Sequence, residues 1–236
     1  MPPLPPLLLT RPAAACARFA GAWREAMGCA APVVISPVVE IVARPGAADP
    51  AGYAGVVFAS ENAVAALGAA PRPLVAWCVG DRTAEAAAEA GYDARSADGD
   101  AGALVALIAA SGADGPLLFA RGRESRGDVG ARLSQVGIRC DEAVVYDQRD
   151  VPLSGEALGL LAGTGRVLVP LFSANSARRL ARCLDGADVR ARLRIAAISP
   201  AVAAAWTGPS AEAMRIAERP GATAMIGALR ALAALP

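Results

Sequence analysis

The stretch GVVFASENAVAAL (55–67) is answered further along the chain by RVLVPLFSANSARRLARCL (166–184). Each opens with an apolar run too short for a helix, crosses a turn carrying Ser and Asn, and enters an Ala-rich segment. Short, unbroken apolar runs of this kind read as strands buried on both faces. The likeness continues, because AWCVGDRTAEAAAEAGYDARSADGDAGALVALI (76–108) follows the same order as RIAAISPAVAAAWTGPSAEAMRIAERPGATAMIGAL (194–229). Setting Phe58 against Phe172 needs an offset of 114 residues, and Gly80 against Ser199 one of 119. Self-similarity at so long a spacing implies two related lobes and excludes a solenoid, whose repeats are far shorter. Strands alternating with helices imply an α/β fold, with parallel sheets flanked by helices and built from right-handed crossovers.

Outward from the repeat, Leu7–Thr10 reads as a strand, and Pro12 opens a helix over 13–27. VVISPVVEIVA (33–43) is long for one strand and carries Pro37, which cannot donate to a ladder, so two extended pieces are expected there. The N-terminal strand and helix have no partners of their own and complete the sheet of the second copy. That gives one discontinuous lobe, about 1–36 with 152–236, and a second at about 40–147. Two extended linkers, about 36–41 and 147–152, join them, and the ligand belongs in a cleft between the lobes. Within the second lobe the expected helices are 61–69, Thr83–Ala90 (closed by Gly91) and 101–111. RGRESRGD (121–128) reads as a charged loop between a strand at 117–120 and a helix ending at Gly137. CDEAVVYDQRD (140–150) reads as one long strand.

Composition narrows the chemistry. Over 236 residues the chain is 55% hydrophobic, enough for two packed cores, and its net charge of +1 gives no general attraction to nucleic acid or membrane. It has no His, and all 23 basic residues are Arg. Imidazole acid–base chemistry, His-ligated metal and lysine Schiff bases are thereby excluded. Every cationic contact must come from a guanidinium, which grips carboxylate or phosphate with two parallel bonds. Cys16, Cys29, Cys78, Cys140 and Cys183 are scattered without CxxC spacing and read as reduced, buried apolar residues. The proline-broken N-terminus is no signal peptide, and no run approaches the roughly 18 apolar residues of a membrane span. A cytoplasmic monomer is expected.

Ligands of such folds gather beyond the carboxyl ends of the strands. The residues placed there are Arg11, Ser60 and Asn62; Arg82 and Thr83; Arg121 and Gly122; Ser173 and Asn175; and Ser199. They offer hydroxyls, amides and guanidinium, but no nucleophile beside a base. Taken singly, Ser60, Thr83, Ser173 and Asn175 suit ordinary helix caps; their recurrence in both copies suits a polyanion held by many hydrogen bonds. Nucleotide motifs of the GxxxxGK[ST] and GxGxxG kinds are missing.

The ordered series LLLTRP, VVFASENAV, VGDRTAEAAAEAGY, LLFARG, VVYDQ, LFSANSA, IAAISPAVAAA and AERPGATAMIGAL resembles uroporphyrinogen-III synthases across nearly the whole chain. The resemblance implies two α/β lobes and cyclisation of hydroxymethylbilane to uroporphyrinogen III, with loss of water and inversion of the last ring. It implies no cofactor and no metal. Tyr146 matches the family tyrosine that assists loss of the substrate hydroxyl, and Thr83 and Ser173 match binding residues. Ala59, Ala201 and Val202 stand where the family often carries hydroxyls. Two other readings stay open: a non-catalytic bilobal module that binds a polyanionic small molecule, which the two-lobe plan allows, and a structural or regulatory module that keeps the fold without the chemistry, which these departures motivate.

Overall fold

The computed structural model describes residues 4–28, 31–70, 72–124 and 128–236. The chain divides into two compact units, Met1–Glu40 with Asp150–Pro236 (unit 1) and Ile41–Arg149 (unit 2).

Unit 1 begins with β1 (Leu7–Leu9), α1 (Ala13–Met27) and β2 (Val33–Ile35). After the excursion through unit 2 it resumes with α6 (Gly155–Ala162), β9 (Arg166–Leu171), α7 (Ala174–Leu184), β10 (Arg192–Ala197), α8 (Pro200–Ala204), β11 (Ala213–Ile216) and α9 (Ala222–Ala233). Its five strands lie in the order β11-β10-β9-β1-β2, every pair parallel. β1 shows why these runs are continuously apolar. Leu8 packs into the core on one face of the sheet, while Leu7 and Leu9 pack into the core on the other. With helices on both faces, no strand position can be polar without cost. Pro170 lies inside β9, two residues beyond the pairing of Leu168 with Leu7 of β1, and has no N–H to carry that ladder further.

Unit 2 consists of β3 (Val39–Ala43), β4 (Gly55–Phe58), α2 (Glu61–Leu67), β5 (Val75–Cys78), α3 (Asp81–Glu89), β6 (Asp93–Ser96), α4 (Ala101–Ala110), β7 (Leu117–Gly122), α5 (Val129–Gln135) and β8 (Cys140–Asp150). Its sheet runs β3-β8-β7-β4-β5-β6. Val56 and Phe58 of β4 serve one core and Val57 the other.

The two sheets share one plan. β4, β5 and β6 correspond to β9, β10 and β11, and β7-α5-β8 corresponds to β1-α1-β2. The first forty residues therefore fill the place in unit 1 that the last third of unit 2 fills in its own sheet. Pro37 separates β2 from β3, and these two pieces enter different sheets. β3 starts within the stretch 36–41, and β8 ends within 147–152.

Two readings need correction. The N-caps Ser60 and Ser173 correspond, so the first halves of the copies align with an offset of 113, not 114. Phe172 then stands opposite Ala59, beyond its strand, and not opposite the fully buried Phe58. The charged stretch from Arg121 is also not a loop from its first residue, since Arg121 and Gly122 complete β7; residues 125–127 of it lie outside the described residues.

Candidate active site

Parallel strands place their carboxyl ends on one edge of a sheet, and the helices that follow present uncapped N–H groups there. In unit 2 that edge carries Ser60 after β4, Gly80 after β5, Arg121 and Gly122 at the end of β7, and Tyr146 on β8 opposite Gly122. Ser60 Oγ caps α2 by accepting the Asn62 N–H at 3.2 Å, and Asn62 is half-buried in the first turn. α3 starts two residues before the expected Thr83, with Gly80 as its N-cap. Gly80 offers no side-chain oxygen to accept from the first turn. Arg82 is exposed on that first turn. Thr83, third in the helix, is buried at 6% exposure and is not the cap.

Arg121 is half-committed. Its Nε donates to Glu142 Oε2 at 2.7 Å and its Nη1 to the Gly122 carbonyl at 3.2 Å. Tyr146 is 5% exposed and packs in the core that holds Phe58, Ala63 and Ala120. Among the described residues its hydroxyl has no hydrogen-bond partner. The main chain around it is tied on both sides: Arg123 N donates to Tyr146 O at 3.0 Å, and Arg44 N to Val145 O at 2.8 Å. Asp147 accepts from Arg123 Nε at 2.5 Å and pairs with Arg44 at 3.7 Å.

In unit 1 the same edge carries Arg11 after β1, Ser173 after β9 and Ser199 after β10. The Arg11 guanidinium lies 4.4 Å over the ring of Phe172, which in turn meets Phe19 edge-on at 5.0 Å. Stacking holds the guanidinium plane. Ser173 is exposed and caps α7 through Ser176 N at 3.1 Å; its Oγ also lies 2.8 Å from Ser176 Oγ. Asn175 is not a cap but the second residue of α7, half-buried. Ser199 caps α8 at 3.4 Å from Val202 N.

The expected residues thus form two sets. Ser60, Asn62, Arg82, Thr83, Arg121, Gly122 and Tyr146 gather on unit 2, and Arg11, Ser173, Asn175 and Ser199 on unit 1. The shared plan matches Arg11 to Arg121 and Ser173 to Ser60. Sequence reading missed Glu142 and Phe172, the two side chains that fix those arginines. Phe172 carried a signal, since an aromatic directly before a cap serine does not fit a buried strand.

No thiolate is at hand. Burial pushes Cys16 and Cys140 up to about 11 and Cys78 up to about 12; Cys29 lies outside the described residues. Among the described residues, no group of three or more His, Cys, Asp or Glu could hold a metal ion. None of the helices described is long and apolar enough to cross a membrane.

The family model described as uroporphyrinogen-III synthase HemD matches residues 24–227. The chain belongs to the uroporphyrinogen-III synthase family. That makes it a lyase-type enzyme of tetrapyrrole biosynthesis, which closes a linear tetrapyrrole into a ring. Its fold is similar to that of uroporphyrinogen-III synthetase from Helicobacter pylori, with TM-score 0.66, 15% identity, and 97% and 99% of the two chains covered. A mutant uroporphyrinogen III synthase from Thermus thermophilus aligns with TM-score 0.50 at 15% identity, over 97% and 98% of the chains. No curated protein matches the chain significantly. At such low identity the solved synthases establish the fold, and the family model carries the assignment.

Proposed function

We propose that this synthase takes hydroxymethylbilane to uroporphyrinogen III, and that Tyr146 assists the departure of the substrate hydroxyl. The observation that supports the role is a phenol on β8 beside Gly122, the last residue of β7, with its oxygen uncommitted to any described residue. The pyrrole nitrogen next to the hydroxymethyl carbon expels the hydroxyl, which leaves as water with a proton drawn from solvent and yields an azafulvene-like cation; an equivalent proton returns to solvent when the ring carbon attacked in the final closure loses its hydrogen. A hydrogen bond from the Tyr146 O–H to the departing oxygen lowers that barrier. Attack on the cation by the substituted carbon of the last ring gives a spiro intermediate, whose opening and reclosure invert that ring. Unaided closure gives isomer I, so the enzyme's task is placement of the ring before attack.

The substrate carries eight carboxylates. Arg11, Arg82 and Arg121, with the first-turn residues Ser60, Asn62, Thr83, Ser173, Asn175 and Ser199, supply the donors that fix them. Gly122 contributes main chain only. The protein acts as a monomer, which sedimentation at working concentration checks. The decisive experiment supplies hydroxymethylbilane and resolves the product isomers. Isomer III in excess over isomer I supports the reading. An unchanged ratio overturns it in favour of a polyanion-binding module.

A further inference from the structure

We infer that Gly122 is a positioning residue for Tyr146: the space left by its missing side chain is the seat of the phenol ring. The inference rests on the proposed role of Tyr146 and explains how that ring reaches the carboxyl edge of the sheet.

The register between β7 and β8 is regular from Leu117 opposite Cys140 to Arg121 opposite Val144, then skips one residue, so that Gly122 faces Tyr146. A bulge of this kind re-aims the side chains beyond it. Without it, Val145 would face Gly122 and Tyr146 would turn to the other face of the sheet. With it, Val145 and Tyr146 both enter the core beneath α2 and α3. Neighbours on parallel strands point to the same face, so the ring competes for the volume a residue at 122 would occupy. A Cβ built on Gly122 would stand 2.7 Å from both Cε2 and Oη of Tyr146, and it would collide with Cζ. Real Cβ atoms do not approach so closely. Glycine is not demanded there by its backbone, because its φ is not positive. Space alone demands it.

If a methyl group entered, the main chain could not yield easily. Tyr146 O is held by Arg123 N, and Asp147 is pinned by Arg123 and Arg44. The ring would have to rotate away, taking its oxygen with it. Gly122 therefore does more than offer main chain to substrate: it sets where the phenol points.

The test measures turnover, KM and isomer ratio for Gly122→Ala, Tyr146→Phe and the double variant. Gly122→Ala should lose turnover as Tyr146→Phe does, about 10²–10³-fold, with KM little changed, and the double variant should be no slower than Tyr146→Phe. A second readout incorporates 3-fluorotyrosine, which gives one ¹⁹F resonance for each of the three tyrosines. The resonance that disappears in Tyr146→Phe should move in Gly122→Ala while the other two stay fixed. Wild-type turnover in Gly122→Ala overturns the inference, as does an equal further loss in the Tyr146→Phe background or a rise in KM alone. Should Gly122→Ala fail to fold, Gly122→Ala/Tyr146→Ala must restore folding, and failure there overturns the inference. A Tyr146→Phe enzyme at full turnover would instead remove the catalytic role of Tyr146, while the ¹⁹F shift would still report on the seat.

Discussion

Replacing Arg194 with Met should destabilise unit 1 by about 3–5 kcal/mol, the cost of removing one partner from a buried ionic contact. The side chain is 2% exposed on β10. Its Nε donates to Glu212 at 2.5 Å, Nη1 to the carbonyls of Leu232 at 2.7 Å and Leu235 at 3.0 Å, and Nη2 to Pro236 O at 2.8 Å. Leu232 sits in the last turn of α9, where carbonyls lack intrahelical donors. Met keeps the apolar stem and deletes all four bonds at once. Each buried carbonyl left without a donor costs about 1–3 kcal/mol. Glu212 suffers less, since Arg166 and Arg192 remain near it at 3.2 and 3.3 Å. Relief from desolvating a guanidinium offsets part of the loss, which keeps the sum near the figure above and not at twice it. Urea unfolding gives the free energy, and hydrogen exchange locates it: the α9 amides should lose protection first. A change under about 1 kcal/mol, or a loss of protection spread evenly over unit 1, would refute the reasoning, since a full partner loss should cost several times that.

Other outcomes follow from the same contacts. The hydrogen bond from Arg194, followed by that from Arg166, holds the Glu212 carboxyl below its usual value of 4.5. Its stabilisation is complete above that value and disappears as pH falls through the lowered one, so melting curves of wild type and Glu212→Gln should differ at pH 7 and converge in acid; a constant gap would contradict this. Tyr146→Phe should lower turnover by about 10²–10³ without lowering Tm, because the hydroxyl has no described partner to lose; unchanged turnover ends its catalytic assignment. Thr83→Val, which keeps the volume of a buried side chain, should raise KM with the fold intact, and an unchanged KM would leave Thr83 as packing alone. Exhaustive chelation and dialysis should leave activity whole, and restoration by an added metal ion would defeat the positioning mechanism.

Much of the architecture was legible because its signals are local. Pro12 marks the start of α1, which runs Ala13–Met27 as its pattern suggests, and Pro37 divides VVISPVVEIVA into strands of two sheets. β8 was readable to both ends because eleven residues without Gly or Pro leave no place for a turn. β6 was missed: Asp93–Ser96 lies at a sheet edge, where one neighbour suffices and polar side chains reach water, so no apolar run marks it. Arg121 was taken for loop because charge rarely ends a buried strand, yet Glu142 neutralises it from the adjacent strand. That pairing, like the seat of Tyr146 on Gly122, depends on register across 20 or more residues. No spacing within the sequence encodes such a register.

The interleaved order of the two units sets a timetable for synthesis. Residues 41–149 are contiguous and have all their strands once they leave the ribosome. β1 and β2 are made before them, but the strand that flanks β1 on its other side, β9, follows roughly 160 residues later. At about 5–20 residues per second that is on the order of ten to thirty seconds. Through this interval Leu7, Leu8 and Leu9, each at most 1% exposed in the finished fold, have no sheet to enter. A nascent chain of this protein is therefore most exposed to chaperones and to aggregation at β1, long after β1 has been made.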